Sequence, residues 1–125
     1  MRLLLDTHAL LWWLGDDPRL GAAVREQIAD PQVEVSVSAA SAWEIAIKQA
    51  LGRLEIRADL PSALAASGFR ELPITIADAL MAGSLPRHHR DPFDRILVAQ
   101  ALREGCTIVT ADPDIALYGA PVLAA

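Results

Sequence analysis

At 125 residues, with 53% hydrophobic and 22% charged side chains, the chain has the size and composition of one folding unit and lies far from the signature of a disordered segment. No stretch reaches the roughly 18 uncharged apolar residues of a membrane-spanning helix, so no membrane role is expected. A net charge of −5 argues against a simple basic nucleic-acid footprint, unless the acids are gathered at a cation site whose ions would reverse the local field.

The N-terminal apolar run imitates a secretion leader, but Asp6 and His8 interrupt it. Arg2 to Leu5 reads instead as a strand buried on both faces, with Asp6 at its C-terminal end and a helix from Thr7 through Leu14, stopped by Gly15. Asp17 and Pro18 have the N-cap and first-position chemistry of a second helix running to about Ala29. Val33 to Val37 is β-branched and alternating, a second strand. Ser38 or Ser41 caps the next helix, in which Trp43, Ile47 and Leu51 recur at helical spacing before Gly52, with Ala40, Ile47 and Leu51 as the expected buried stripe. A helix over Asp59 to Ser67, a strand over Phe69 to Leu72 and a helix over Thr75 to Ser84 follow, the last capped by Thr75 with Asp78 in its first turn. After the loop Leu85 to Arg90, Asp91 and Pro92 open a long helix to Glu104, Gly105 ends it, and Thr107 to Thr110 forms a strand leading to Asp112. Val122 and Leu123 complete the series as a short strand. This alternation predicts a single α/β domain over residues 1–125, with a mostly parallel sheet flanked by helices. Ligands of such sheets bind outside the carboxyl ends of the strands.

Four acids stand out, each with a second explanation. Asp6 and Asp112 fall at strand ends, yet Asp6 is also a natural N-cap and Asp112, before Pro113, a natural turn former. Glu44 lies inside a helix among apolar residues, where a lone glutamate ordinarily stays solvated. Asp91 is the better cap of the late helix because it precedes Pro92, which leaves Asp94 free for another task. Arg87, His88, His89, Arg90 and Arg95 form the densest basic stretch, either a phosphate clamp or a solvated loop. The two histidines invite a zinc reading, which no cysteine pair or spaced histidine set supports. Successive residues Trp12 and Trp13 cannot share one helix face, so one is expected at a surface that contacts a partner. The one cysteine, Cys106, sits in an apolar run, cannot form an internal disulfide and is compatible with a reducing cytoplasm.

The segments LLLDTHALLWWL, SAASAWEIAIKQALGRL, HHRDPFDRILVAQAL and TIVTADPDIALYG, in that order, resemble the four motif blocks of the PIN domain family, specifically its VapC-like ribonuclease toxins. The resemblance spans nearly the whole chain. It implies a central parallel sheet between helices and a Mg²⁺- or Mn²⁺-dependent endoribonuclease whose acidic positions fall on Asp6, Glu44, Asp94 and Asp112. Thr7, Asp91, Thr110 and Asp114 would be accessory, and Arg87, Arg90 and Arg95 would hold RNA. It further implies a cytoplasmic toxin with a cognate antitoxin, a homodimer and a toxin–antitoxin hetero-oligomer. Two rival readings have the same topology: a receiver-like phosphoryl-accepting domain and a catalytically silent interaction module. A receiver's acidic pair after the first strand and its late lysine are missing, since Thr7 and His8 follow Asp6 and no lysine follows Lys48.

Overall fold

A computed structural model describes residues 1–56 and 59–125. Its strands are β1 (Arg2–Leu5), β2 (Glu34–Ser38), β3 (Arg70–Leu72), β4 (Thr107–Thr110) and β5 (Val122–Ala124). The helices are α1 (Thr7–Leu14), α2 (Ala22–Ala29), α3 (Ala39–Ala50), α4 (Leu60–Ser67), α5 (Ile76–Ser84) and α6 (Pro92–Glu104), with a 3₁₀ turn at Ile115–Tyr118. All strand pairings are parallel, and the sheet order is β3-β2-β1-β4-β5. The α/β class expected from the alternation is therefore the one observed.

β1 lies at the centre, where Leu3, Leu4 and Leu5 are each fully buried, as its unbroken apolar run requires. Its side chains alternate between two cores. Leu3 and Leu5 join Val35, Val37 and Val109 beneath Ala9 and Leu10 of α1, Val24 and Ile28 of α2 and Leu64 of α4. Leu4 and Ile108 pack on the other face against Leu97, Val98 and Ala101 of α6 and Ile115. Gly105, in the left-handed conformation at φ 69°, ends α6 and turns the chain into β4. At the N-terminal edge of the sheet, Glu34 of β2 pairs with Arg2 of β1 and Arg70 of β3.

Three expectations change. α2 begins at Ala22 behind Gly21, because the Asp17 carboxylate is spent on the amide and guanidinium of Arg19 in a separate turn. Of the stripe expected on α3, Ala40 is buried, but Ile47 and Leu51 face solvent at 36% and 60% exposure beside Trp43 at 64%, while the other buried positions are Ser41, Glu44 and Ile45. Periodicity located the helix correctly and oriented it wrongly, because the exposed face is as apolar as the buried one. Trp12 and Trp13 are both half-buried, Trp12 beneath the Arg19 guanidinium and Trp13 against Phe69, with its indole N–H donated to Ser67 Oγ.

Candidate active site

The order of the sheet sets the position of the site. The chain winds outward from β1 through β2 to β3, then returns to the other side of β1 for β4 and β5. The winding thus reverses between β1 and β4, whose paired residues include Leu5 and Val109. At such a switch point the connecting loops diverge and leave a crevice beyond the strand ends. Asp6 follows β1 and Asp112 follows β4, so both acids emerge there.

Asp6 is buried and does cap α1, accepting the Ala9 amide at 2.8 Å. Capping and crevice placement therefore coexist. Burial raises its pKa above the ordinary aspartate value, against the opposing hydrogen bonds of the Thr110 hydroxyl and the Ala9 amide. Thr110, also buried, in addition accepts the Asp112 amide at 3.0 Å, which ties the two strand-end loops together.

Glu44 is buried on α3, contrary to the solvated reading of an isolated glutamate. Its oxygens are paired, as burial demands. The Thr7 hydroxyl donates to Oε1 at 2.7 Å and Lys48, one turn later, stands 2.9 Å from Oε2. Thr7 lies also 3.2 Å from Ser41 Oγ.

Asp91 caps α6 through the Phe93 amide, so Asp94 one turn inside the helix is left uncapped and faces the crevice acids. Its pKa is pushed up to about 7: burial contributes most, Asp91 adds to it, His89 opposes, and Asp6 and Glu44 add further repulsion. Asp94 thus senses the charge of Asp6 and Glu44, and Asp6 that of Glu44. Asp112 accepts the Asp114 amide at 2.9 Å in a local turn and approaches His89 Nε2 at 2.7 Å. Burial raises its pKa, but the Asp114 amide and His89 outweigh that and leave it below the ordinary value.

His89 was considered in the sequence as part of the basic stretch and for zinc, yet its Nε2 stands between Asp112 at 2.7 Å and Asp94 at 3.1 Å. Burial lowers its pKa, while Asp112, Asp94 and Asp91 together raise it by more. Among the described residues, His89, Asp94 and Asp112 are the group whose ligand-type atoms lie within 4.8 Å of one another. Asp6 and Glu44 lie outside that set. His89 announces itself only by its place inside the third motif block, and Ser41 and Lys48 by theirs in the second, at helical spacing from Glu44.

The basic stretch divides in two. Arg87 and Arg90 are exposed and line, with Gly83, His89 and Arg95, an open pocket of about 590 Å³ next to the acids. Arg95 instead turns inward: its guanidinium donates to the carbonyls of Ala82 at 2.7 Å, Leu85 at 2.9 Å and Pro86 at 3.0 Å. It holds the loop between α5 and α6, a structural role that stands beside its place in the lining of the same pocket. Tyr118 assists by accepting the His89 amide at 2.8 Å, a contact with no signal in the sequence. A second opening, lined by Asp6, His8, Trp12, Arg19, Ala111 and Asp112, gives the crevice its other wall.

A parallel α/β domain with carboxylates gathered where its sheet reverses is the architecture of an acidic-site hydrolase or phosphoryl-handling protein. The PIN domain family model matches residues 3–120, and the chain belongs to that family. Ribonuclease VapC22 of Mycobacterium tuberculosis is 33% identical over 113 residues, which cover 88% of this chain and 86% of that protein. Among solved structures, VapBC2 from Rickettsia felis bound to a promoter DNA fragment superposes with a TM-score of 0.72 at 15% identity, covering 99% of this chain and 98% of the other. FitAcB from Neisseria gonorrhoeae gives 0.68 at 20% identity, covering 98% and 96%. At these identities the two structures bear on the fold alone.

Proposed function

We propose that residues 1–125 form one nuclease domain, the endoribonuclease toxin of a toxin–antitoxin pair, which hydrolyses RNA phosphodiester bonds at a Mg²⁺ or Mn²⁺ site formed by Asp6, Glu44, Asp94 and Asp112. The observation that carries this reading is the gathering of Asp6, Glu44, Asp94 and Asp112, two of them buried and two half-buried, at the sheet's switch point, where burial above all, and then Asp91, Asp6 and Glu44, push Asp94 up to about 7. A cluster that resists ionisation in this way is built to be neutralised by a cation. The donor set fits a hard divalent ion, since its acids offer oxygen ligands and no cysteine stands near them. Such an ion, when bound, supplies Lewis-acid stabilisation of charge on the phosphate and lowers the pKa of water.

The chain's own groups do the rest. Thr7 and Lys48 fix the orientation of Glu44, and Thr110 ties the Asp6 loop to the Asp112 loop. Asp91 shapes the start of α6 and Asp114 holds Asp112 in its turn. Arg87 and Arg90, exposed beside the acids, contact the RNA backbone and offset the net negative charge of the chain at the one edge where substrate arrives.

The family relationship also supports a cognate antitoxin, a homodimer, their hetero-oligomer and a cytoplasmic setting. Among the described residues no helix is long and apolar enough to cross a membrane. The exposed apolar stripe of α3, with Ile76 and Leu80 of α5 at 80% and 71% exposure, supports burial against protein. The test is cleavage of a structured RNA pool with Mg²⁺ or Mn²⁺ by the wild type, Asp6→Ala and Asp94→Ala. Loss of cleavage in both variants is expected; variants that cut as well as the parent would overturn the assignment.

A further inference from the structure

His89 meets both Asp94 and Asp112 through Nε2, and that geometry admits two roles. As a metal ligand, Nε2 would share an octahedral ion with the two carboxylates, whose neighbouring donors lie about 3 Å apart for bonds near 2.1 Å. As a hydrogen-bond donor, Nε2–H would hold the carboxylates directly. The observed separations of 2.7 and 3.1 Å suit either role.

The other ring nitrogen separates them. Nδ1 accepts the backbone amide of Asp91 at 3.0 Å, and an amide can only donate. Nδ1 therefore presents a lone pair, and the proton of the neutral ring is on Nε2. A nitrogen that carries the proton has no lone pair for a metal. The ring is held in place as well, since the His89 amide is bound by Tyr118 Oη and the loop around it by Arg95.

Building on the metal-site reading, we infer that His89 is a positioning residue: its Nε2–H, fixed by the Asp91 amide on Nδ1, donates to the Asp112 carboxylate and, with Asp94 3.1 Å away, orients this pair for the cation without binding the cation itself. Groups that orient ligating side chains typically contribute 10- to 100-fold in metal affinity.

The test measures Mn²⁺ binding to the metal-free protein by calorimetry, with the Mn²⁺ electron spin-echo spectrum as a second readout. His89→Ala should weaken Mn²⁺ binding about 10- to 100-fold. His89→Gln, which keeps an N–H donor, should recover much of that loss. His89→Glu, which offers an oxygen ligand but no donor, should not. Nitrogen-15 spectra of the metal-free wild type should place the imidazole proton on Nε2, a result independent of metal binding and of how the variants fold. A directly coordinated ¹⁴N signal in the wild type that vanishes in His89→Ala, tight binding by His89→Glu, or unchanged binding by His89→Ala would each overturn the inference and leave the metal site standing. A wild type that binds no Mn²⁺ would overturn both.

Discussion

The hydroxyl of Thr7, in the first turn of α1, donates to Glu44 Oε1 of α3 across 2.7 Å. The bond joins two helices that follow different strands, and it explains how a glutamate inside an apolar helix comes to be buried. Without Thr7, Glu44 would keep only Lys48, and one buried carboxylate oxygen would have lost its donor.

Thr7→Val tests this link because it preserves side-chain shape and removes only the hydroxyl. Leaving a buried acceptor unpaired costs about 1–3 kcal/mol. Urea denaturation should register a loss in that range for Thr7→Val and a much smaller one for Thr7→Ser. Equal stability of the valine variant and the wild type would mean that Glu44 does not depend on the bond.

Asp94→Asn is expected to separate stability from activity. The substitution keeps the shape and removes a charge that burial and neighbouring carboxylates oppose. Metal-free Tm should therefore rise, by a few degrees for about 1 kcal/mol of relieved repulsion. Mn²⁺ binding and RNA cleavage should fall at least tenfold, because a ligand and its charge are gone. A variant with lowered Tm would show that the carboxylate serves the fold and does not strain it.

The sheet and most helices were legible because their signals are local. β1 is an unbroken apolar run, Thr75 caps α5 with Asp78 in its first turn as expected, the two closing into a capping box, and Asp91 with Pro92 starts α6 where expected. The site was legible only in part. Asp6, Asp94 and Asp112 could be placed from strand ends and a spare helix acid, whereas the burial of Glu44 depends on a threonine 37 positions away. The contacts of His89 and Arg95 had no sequence signal for a common reason: the loop from α5 to α6, whose path no local pattern encodes, carries His89 to Asp112 and brings its carbonyls to Arg95. The α3 stripe misled because amphipathicity reports which face is apolar and cannot report that an apolar face is left uncovered.

Arg95 and its basic neighbours should part company when each is replaced. Arg95→Lys loses the fork that reaches several carbonyls at once, and it should cost on the order of 2 kcal/mol, seen as a lowered urea midpoint. Arg87→Ala and Arg90→Ala should stay within about 0.5 kcal/mol of wild type, as exposed substitutions do. RNA affinity should respond in the opposite sense. Each exposed arginine that contacts a phosphate should, on removal, reduce the slope of log affinity against log salt by about 0.7 for single strands. An unchanged slope in the double variant would remove both arginines from the RNA surface.

The pH dependence of metal-free stability follows from the same cluster. The folded-state pKa of Asp94 is near 7, far above the value it has in an unfolded chain. Between pH 6 and 8 the folded protein thus binds more protons than the unfolded one, so stability must fall as pH rises. The contribution of Asp94 is fully present below its unfolded pKa and is lost as pH passes through about 7, a change on the order of 1 kcal/mol across this window. Asp112, with its pKa lowered, changes charge well below pH 6 and does not offset the trend. Tm of the metal-free protein should therefore drop by a few degrees from pH 6 to pH 8. Adding Mn²⁺ should raise Tm more at pH 8 than at pH 6, because the cation binds the ionised carboxylates and must displace protons at the lower pH. Scanning calorimetry at both pH values, with and without Mn²⁺, decides the matter: a metal-free Tm that climbs from pH 6 to 8 would mean that burial and the neighbouring carboxylates do not hold Asp94 above its unfolded pKa.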